Sequence, residues 1–160
     1  MLINVDGSAS GNPGPSGGGG FCRNSSGNLI FAFYSGYGDD TNKRAELRVL
    51  HDAMEINVSF GFNQVELESN SQFVVDAFRG KSTLAWKWRY WLSRIEGIKK
   101  KGIFSISLIP REGNGLADGL AREGVACQGN VLFKNEKDLP ICTRDLYLLD
   151  KVGLGAIRES

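Results

Sequence analysis

The run VDGSASGNPGPSGGGGF at residues 5–21 constrains the fold more than any other part of the sequence. An apolar strand predicted over residues 1–6 ends in the carboxylate of Asp6, and a turn rich in glycine, proline and serine follows at once. Strand-forming residues return at 18–24. The sequence therefore predicts two strands with a tight connection between them and an acidic side chain at the end of the first.

The remaining elements follow from local patterns. Five strands are predicted between turn-forming residues, at 1–6, 18–24, 28–37, 64–68 and 103–108. Apolar periodicity predicts helices near 42–58, 71–79, 86–100 and 114–126. This order predicts an α/β fold in which helices flank a five-stranded mixed sheet. Residues 1–128 form the predicted domain, and 129–160 form a C-terminal extension, packed on it or flexible, with one short helix at 142–152.

The composition limits the classes of function. The chain has 160 residues and a formal net charge of +1, which excludes a globally basic nucleic-acid binder and leaves only a local basic patch. The three cysteines include no CxxC pair, which favours reduced thiols over a disulfide framework. No signal peptide or apolar run of membrane length is found, so we expect a monomer in the nucleus or cytoplasm, neither secreted nor membrane-bound.

Three further motifs follow the first run in order: TNKRAEL at 41–47, LESNSQFVV at 67–75 and PREGNGLADGLA at 110–121. Together the four resemble the ribonuclease H family, in the variety attached to plant retroelement reverse transcriptases. The resemblance holds in register from about residue 1 to 126, and the tail from 130 is similar to plant members. It implies a ribonuclease H-like fold and cleavage of the RNA strand of RNA/DNA hybrids, with a reverse transcriptase domain as a possible neighbour in a longer polypeptide.

Acidic side chains occur where the predicted elements converge. If the first and fourth strands are parallel neighbours, Asp6 and Asn70 emerge at one carboxyl edge of the sheet. Glu46 lies on the apolar stripe of helix 42–58, where an acid is costly unless it is paired or bound to a metal; capping of the helix start is the alternative. Asp118 lies early in the last helix, where an acid taken alone is more often a solvated first-turn residue favoured by the helix dipole.

The resemblance makes Asp6, Glu46, Asn70 and Asp118 the catalytic and metal-binding set, with Mg²⁺ as the cofactor and Mn²⁺ as a substitute. Clustered carboxylates suit Mg²⁺, and two such ions promote phosphodiester hydrolysis. Asn70 departs from the family's aspartate: its amide carries no charge and offers one acceptor oxygen, so we expect impaired activity. Natural decay and a deliberate substitution both explain it. A second departure, Leu108 in place of a histidine, implies slower turnover.

The resemblance also assigns residues to the hybrid. In the GNPG loop these are Gly11 and Asn12, which would reach the RNA minor groove together with Asn42 and Gln72, and Thr41 would contact a phosphate. Thr41 and Asn42 are also candidates to cap the helix that follows. The segment 79–101 holds eight basic residues and one acid, and could be a solvated face or a surface for the DNA strand. Its candidate contacts are Trp86, Lys87, Arg89 and Arg94.

Other residues of that region have simpler interpretations. Trp88 and Trp91 are expected in the core, whereas Trp86 or Tyr90 could stack on nucleic acid. His51 is interpreted as an ordinary histidine of the helix surface. Two functions remain open: a Mg²⁺-dependent ribonuclease H whose activity is impaired by Asn70, and a non-catalytic nucleic-acid-binding or scaffold domain. A related 3′-exonuclease or integrase is disfavoured by the GNPG turn and the TNKRAEL spacing.

Overall fold

The computed structural model describes residues 1–81 and 86–159, with side chains as far as residue 151. Its strands are β1 (Leu2–Ala9), β2 (Gly14–Arg23), β3 (Leu29–Asp40), β4 (Gln64–Ser69), β5 (Ile103–Leu108) and β6 (Asn130–Phe133). Its α-helices are α1 (Asn42–Phe60), α2 (Gln72–Phe78), α3 (Arg89–Lys99), α4 (Gly115–Cys127) and α5 (Ile141–Glu159). None of the helices in these two ranges combines the length and apolar character needed to cross a membrane.

The strands form one mixed sheet in the order β5-β4-β1-β2-β3-β6. β1 pairs antiparallel with β2 and parallel with β4, and β4 pairs parallel with β5. The predicted mixed sheet with flanking helices is confirmed, but the number of strands was wrong. The sixth strand, β6, is only four residues long and pairs antiparallel with the open edge of β3. A segment this short has no periodicity of its own, and it becomes a strand because β3 offers unpaired backbone groups.

Two apolar cores lie on opposite faces of the sheet. Helices α1, α2 and α3 cover one core, which contains Val5, Leu50 and Ile95. The other contains Phe21, Leu120 and Tyr147 and is covered by α4 and α5. The extension after residue 128 therefore supplies both an edge strand and a covering helix.

The four glycines at 17–20 allow helices to approach β2 closely on both faces. A Cβ on Gly19 would lie 2.5 Å from the backbone nitrogen of Ala121 in α4. On the opposite face, a Cβ on Gly18 would lie 2.6 Å from the Val49 side chain in α1. The run thus serves helix packing, since any side chain there would push α1 or α4 away from the sheet.

Element boundaries differ from the predictions where tertiary contacts decide them. β1 continues past Asp6 to Ala9 because β2 still pairs with it after its parallel pairing with β4 has ended at Asn4. A 3₁₀ turn at Trp86–Trp88 precedes α3, which therefore begins at residue 89 rather than 86. The C-terminal helix is longer than predicted, and residues 82–85 of the basic segment lie outside the described ranges.

Candidate functional site

The parallel pairing of β1 and β4 brings Asp6 and Asn70 to the same edge of the sheet. Their register places Asn4 opposite Glu68, so Asp6 and Asn70 each follow two residues later. Asn70 lies just after the last residue of β4, as predicted. Leu108 ends β5 opposite Ser69 and is 49% exposed at this same edge. The carboxyl edge is where parallel strands usually present functional groups.

Glu46 reaches this edge because Gly7 allows α1 to lie against β1. A Cβ on Gly7 would lie 2.5 Å from the backbone nitrogen of Glu46, a distance that excludes any side chain. The hydroxyl of Ser71, which caps α2, donates to Oε2 of Glu46 at 2.9 Å. The glutamate is therefore held from two elements and points toward the end of β4.

Asp118 completes the acidic group from the first turn of α4. Its carboxyl group interacts with that of Asp6 and raises the pKa of Asp6. Its other partner is Arg122, whose Nη2 lies 2.9 Å from Oδ2 of Asp118 on the exposed side of the helix. Three carboxylates, from β1, α1 and α4, thus lie near enough to interact at this edge of the sheet.

The electrostatics of this cluster are unfavourable for its charged form. The pKa of Asp6 is raised from 3.8 to about 8, chiefly by burial and further by the carboxylates of Asp118 and Glu46, while Arg111 opposes the rise. Burial also raises the pKa of Glu46, against the opposing effects of Ser71 and Lys43. Oxygen donors with such excess negative charge are the ligand set that suits a hard divalent cation.

A chain of buried amides fixes the side chain of Asn70. Nδ2 of Asn114 donates to Oδ1 of Asn70 at 2.8 Å and to the carbonyl oxygen of Val5 at 2.9 Å. Oδ1 of Asn114 accepts from Nδ2 of Asn4 at 3.1 Å, and the same Nδ2 donates to Oε1 of Glu68 at 3.2 Å. Because the Glu68 carboxylate and the Val5 carbonyl only accept, the amide of Asn70 must turn its oxygen toward Asn114.

Sequence reasoning missed Asn4, Ser71 and Asn114. Asn4 and Asn114 are almost fully buried although their side chains are polar. The signal for Asn4 was present, since this amide sits between the apolar residues Ile3 and Val5 in β1. Asn114 lies within the quoted PREGNGLAD motif, but nothing local indicated that it reaches β1 and β4.

The predicted hybrid-binding residues of the GNPG loop and helix α1 form one surface. Thr41 is the N-cap of α1 and accepts from the backbone N–H of Arg44, which confirms the capping prediction for it. The backbone N–H of Asn42 donates to Oδ1 of Asn12 at 3.0 Å, and Oδ1 of Asn42 accepts from the N–H of Ala9 at 2.7 Å. Asn12 and Asn42 are exposed, as is Gly11 beside them.

Gln72 lies at the start of α2, two residues after Asn70, and is exposed. Its Nε2 donates to Oδ1 of Asp76 at 2.8 Å, one helical turn further on. The structure therefore places this predicted contact beside the acidic cluster, with its amide held on the helix surface.

The basic segment lies alongside the same helices. Trp88 is buried as predicted, 5.3 Å from the ring of Phe73 in α2 and 5.8 Å from the guanidinium of Arg44 in α1. Trp86 is 77% exposed and stacks under the guanidinium of Arg89 at 4.2 Å. Lys87, Arg89 and Arg94 are exposed as well. These predicted contacts form a basic and aromatic surface that is separate from the acids but continuous with α1.

His51 differs from its prediction. The ring is 3% exposed and lies between α1 and α3, with Trp91 packed at 5.5 Å. It became buried because α3 packs against the side of α1 that the apolar stripe alone did not include. Trp91 is half-buried against the same core, in keeping with the prediction for it.

A family model described as reverse transcriptase-like matches residues 4–124, most of the chain. The chain belongs to this family. A curated relative is ribonuclease HI from Halobacterium salinarum, 31% identical over 126 residues, which cover 75% of this chain. The chain spans about 61% of the length of that relative.

Solved structures identify the fold of this reverse transcriptase-like chain. RNase H1 from Halobacterium salinarum superimposes with a TM-score of 0.75 and 30% identity, covering 79% of this chain and 97% of that one. LC11-RNase H1 in complex with an RNA/DNA hybrid gives a TM-score of 0.74 and 31% identity, covering 79% and 96%. A foamy viral protease-reverse transcriptase in complex with RNA/DNA hybrid gives a TM-score of 0.65 and 19% identity, covering 79% of this chain and 20% of that one. At this identity the similarity shows the fold alone. The fold is ribonuclease H-like.

Proposed function

We propose that this chain is a ribonuclease H domain that binds RNA/DNA hybrids and whose acidic centre is built to cleave the RNA strand. The observation that carries the proposal is the meeting of Asp6, Glu46 and Asp118 beside Asn70. The similarity to ribonucleases H, one of them solved with an RNA/DNA hybrid, supports the choice of substrate.

The residues fit a divalent cation, Mg²⁺ or in its place Mn²⁺. Asp6, Glu46, Asp118 and the oxygen of Asn70 would hold it, since all four are hard oxygen donors. Such ions, when bound, activate a water molecule and stabilise the leaving oxygen of a phosphodiester. The chain itself contributes the geometry: Ser71 orients Glu46, and Asn114 orients residue 70.

Asn70 weakens this centre without disturbing its shape. An aspartate there would accept the same N–H from Asn114, because either carboxylate oxygen can take the place of Oδ1. The amide, however, lacks the negative charge and the second acceptor oxygen. We therefore propose that the chain as written binds a hybrid but cleaves it poorly.

The exposed surface supports hybrid binding. Asn12 uses its carbonyl oxygen within the protein, so its NH₂ group is the part that can donate to a 2′-hydroxyl or base edge, with Asn42, Gln72, Gly11 and Thr41 nearby. The exposed Trp86, Lys87, Arg89 and Arg94 provide charge and an aromatic face for the DNA strand. The reverse transcriptase-like family supports the proposal of a reverse transcriptase domain in the same polypeptide. A retroelement origin of the plant type rests on the sequence motifs alone.

The decisive experiment restores the acid at position 70. Asn70→Asp should raise the rate of RNA-strand cleavage in a labelled hybrid by roughly 10²–10³-fold in Mg²⁺, because a charged ligand returns to the centre. Asn28→Asp, in the exposed β2–β3 turn, adds the same charge elsewhere and should leave cleavage unchanged.

The second candidate function, a binding or scaffold domain without catalysis, is favoured by Asn70 itself. It would be the correct one if Asn70→Asp produced no hybrid cleavage in either Mg²⁺ or Mn²⁺ while hybrid binding persisted.

A further inference from the structure

His51 is the only histidine of the chain, and its contacts connect two helices. Its Nε2 accepts from Nε of Arg94 in α3 at 3.2 Å. Its Nδ1 lies 3.4 Å from Oδ1 of the neighbouring Asp52. The ring is 3% exposed, so both nitrogens depend on these protein partners.

The hydrogen bonds in this group have a fixed direction. An arginine side chain only donates, so Nε2 of His51 must be an acceptor and the ring proton of the neutral imidazole must be on Nδ1. That proton faces Asp52, whose Oδ2 accepts from the hydroxyl of Tyr37 in β3 at 2.6 Å. The orientation of Arg94 is thus determined from the sheet, through Tyr37, Asp52 and His51.

The same cluster has the spacing of a cation site. Ligand atoms of His51, Asp52 and Glu55 all lie within 4.8 Å of one another. The guanidinium of Arg94 lies beside this group, with Nη2 3.8 Å from Oε1 of Glu55. The arginine therefore brings a positive charge next to Glu55 as well as a hydrogen bond to His51.

Arg94 nevertheless keeps part of its guanidinium in solvent. Its side chain is 43% exposed, and Nη1 lies 3.4 Å from the hydroxyl of Tyr90, itself exposed. Because His51 takes only the Nε–H, N–H groups of Nη1 and Nη2 remain to donate to a phosphate. A long side chain that is already ordered loses less entropy when it binds a ligand.

We propose that His51 is a positioning residue that holds Arg94, in a fixed orientation, for contact with a backbone phosphate of the bound nucleic acid. This inference rests on the proposed hybrid-binding function and deepens it. It assigns the Tyr37–Asp52–His51 group, in which Tyr37 and His51 are buried, a role in substrate affinity and gives none of its members a part in the chemistry.

The test is a double-mutant cycle on hybrid affinity. Binding of a fluorescent RNA/DNA hybrid is measured by anisotropy, without divalent metal and at several salt concentrations, for His51→Phe, Arg94→Ala and the double variant. His51→Phe keeps the packing against Trp91 and removes both ring nitrogens. It should weaken binding roughly twofold to tenfold when Arg94 is present, and have no further effect in the Arg94→Ala background.

Two additional variants sharpen the test. His51→Gln offers an amide oxygen near the position of Nε2 and should restore most of the affinity. Asp52→Asn keeps the side-chain volume but disturbs the Nδ1–H contact, and it replaces His51→Phe in the cycle if that variant does not fold. Nitrogen-15 NMR of the free protein should show His51 protonated on Nδ1 and a slowly exchanging Arg94 Nε–H.

Each contrary result has a distinct meaning. Equal weakening by His51→Phe with and without Arg94, or a ring proton on Nε2, overturns the positioning role. An unchanged affinity and an unchanged salt slope in Arg94→Ala remove the phosphate contact and overturn the inference as well. That outcome leaves the acidic centre standing, because cleavage by Asn70→Asp tests it separately.

Discussion

At the scale of single residues, the acidic cluster combines groups that repel one another in the absence of a cation. Asp6 is strongly affected, because burial together with Asp118 and Glu46 raises its pKa to about 8. Glu46 is displaced in the same direction. A site of this kind lowers the stability of the metal-free protein, and the same excess of negative charge favours binding of a divalent ion.

The pKa of Asp6 predicts how stability depends on pH. Between about pH 4 and pH 8 the folded metal-free protein retains a proton on Asp6 that the unfolded chain has lost, so unfolding becomes easier as pH rises through this window. Asp6→Asn should remove this dependence and raise stability at pH 8 by a few kcal/mol, on the order of 1.4 kcal/mol per pKa unit. Denaturation in EDTA at several pH values measures it.

Magnesium provides the matching control for the Asp6 prediction. It should stabilise the parent protein at pH 8 in proportion to its binding and should stabilise Asp6→Asn much less. A parent protein whose stability stays flat from pH 4 to pH 8 after subtraction of the Asp6→Asn profile would contradict the assignment.

At the scale of elements, the contact between β1 and α1 decides whether Glu46 reaches the other acids. Gly7→Ala should destabilise the protein by about 1–3 kcal/mol, because its Cβ would lie 2.5 Å from a backbone atom that cannot rotate away. In the Asn70→Asp background it should also reduce cleavage, since α1 must move outward. Urea denaturation and hybrid cleavage measure the two effects.

Gly97 in α3 is the control for Gly7. No atom lies within 4 Å of a Cβ built there, and the residue is exposed within a helix. Gly97→Ala should therefore stabilise the protein by about 0.5–1 kcal/mol through helix propensity alone. If both alanine variants were equally tolerated, the close approach of β1 and α1 would not be the constraint that we infer.

At the scale of the whole molecule, the segment after residue 128 is joined to the sheet by a buried ion pair. Nη1 of Arg23, the last residue of β2, lies 2.7 Å from Oδ2 of Asp150 in α5, and both side chains are 6% exposed. Phe133 and Leu139 add apolar contacts on the same face. We therefore expect residues 129–159 to unfold together with the rest of the domain.

Asp150→Ala tests this coupling. Removing the carboxylate that balances a buried guanidinium should cost roughly 3–5 kcal/mol, and the single cooperative transition should persist at a lower midpoint. The paired change Arg23→Met with Asp150→Leu should recover most of the loss. Glu96→Gln, in the exposed pair with Lys99, should cost less than about 1 kcal/mol. A small effect of Asp150→Ala would mean that α5 is only loosely attached.

The sequence by itself determined the order of the elements and predicted which acids form the candidate site. Alternating and helical periodicities are local properties, so the first five strands and four helices were found close to their observed bounds. Asp6, Glu46, Asn70 and Asp118 came from motifs whose residues are near one another in sequence. The placement of Asp6 and Asn70 at one edge depended on the condition that β1 and β4 are parallel neighbours, and the structure meets this condition.

Only the tertiary structure decided what holds those residues in place. The Asn4–Asn114 bond joins positions 110 residues apart, His51 meets Arg94 across 43, and β6 exists because β3 has an open edge. Each of these contacts depends on which elements pack against one another in the folded chain. Local periodicity does not indicate the distant partner of a polar residue. Asn4, Asn114 and His51 are buried, and a buried polar group is costly unless it is hydrogen-bonded, so these side chains are fixed by partners that only the folded chain supplies.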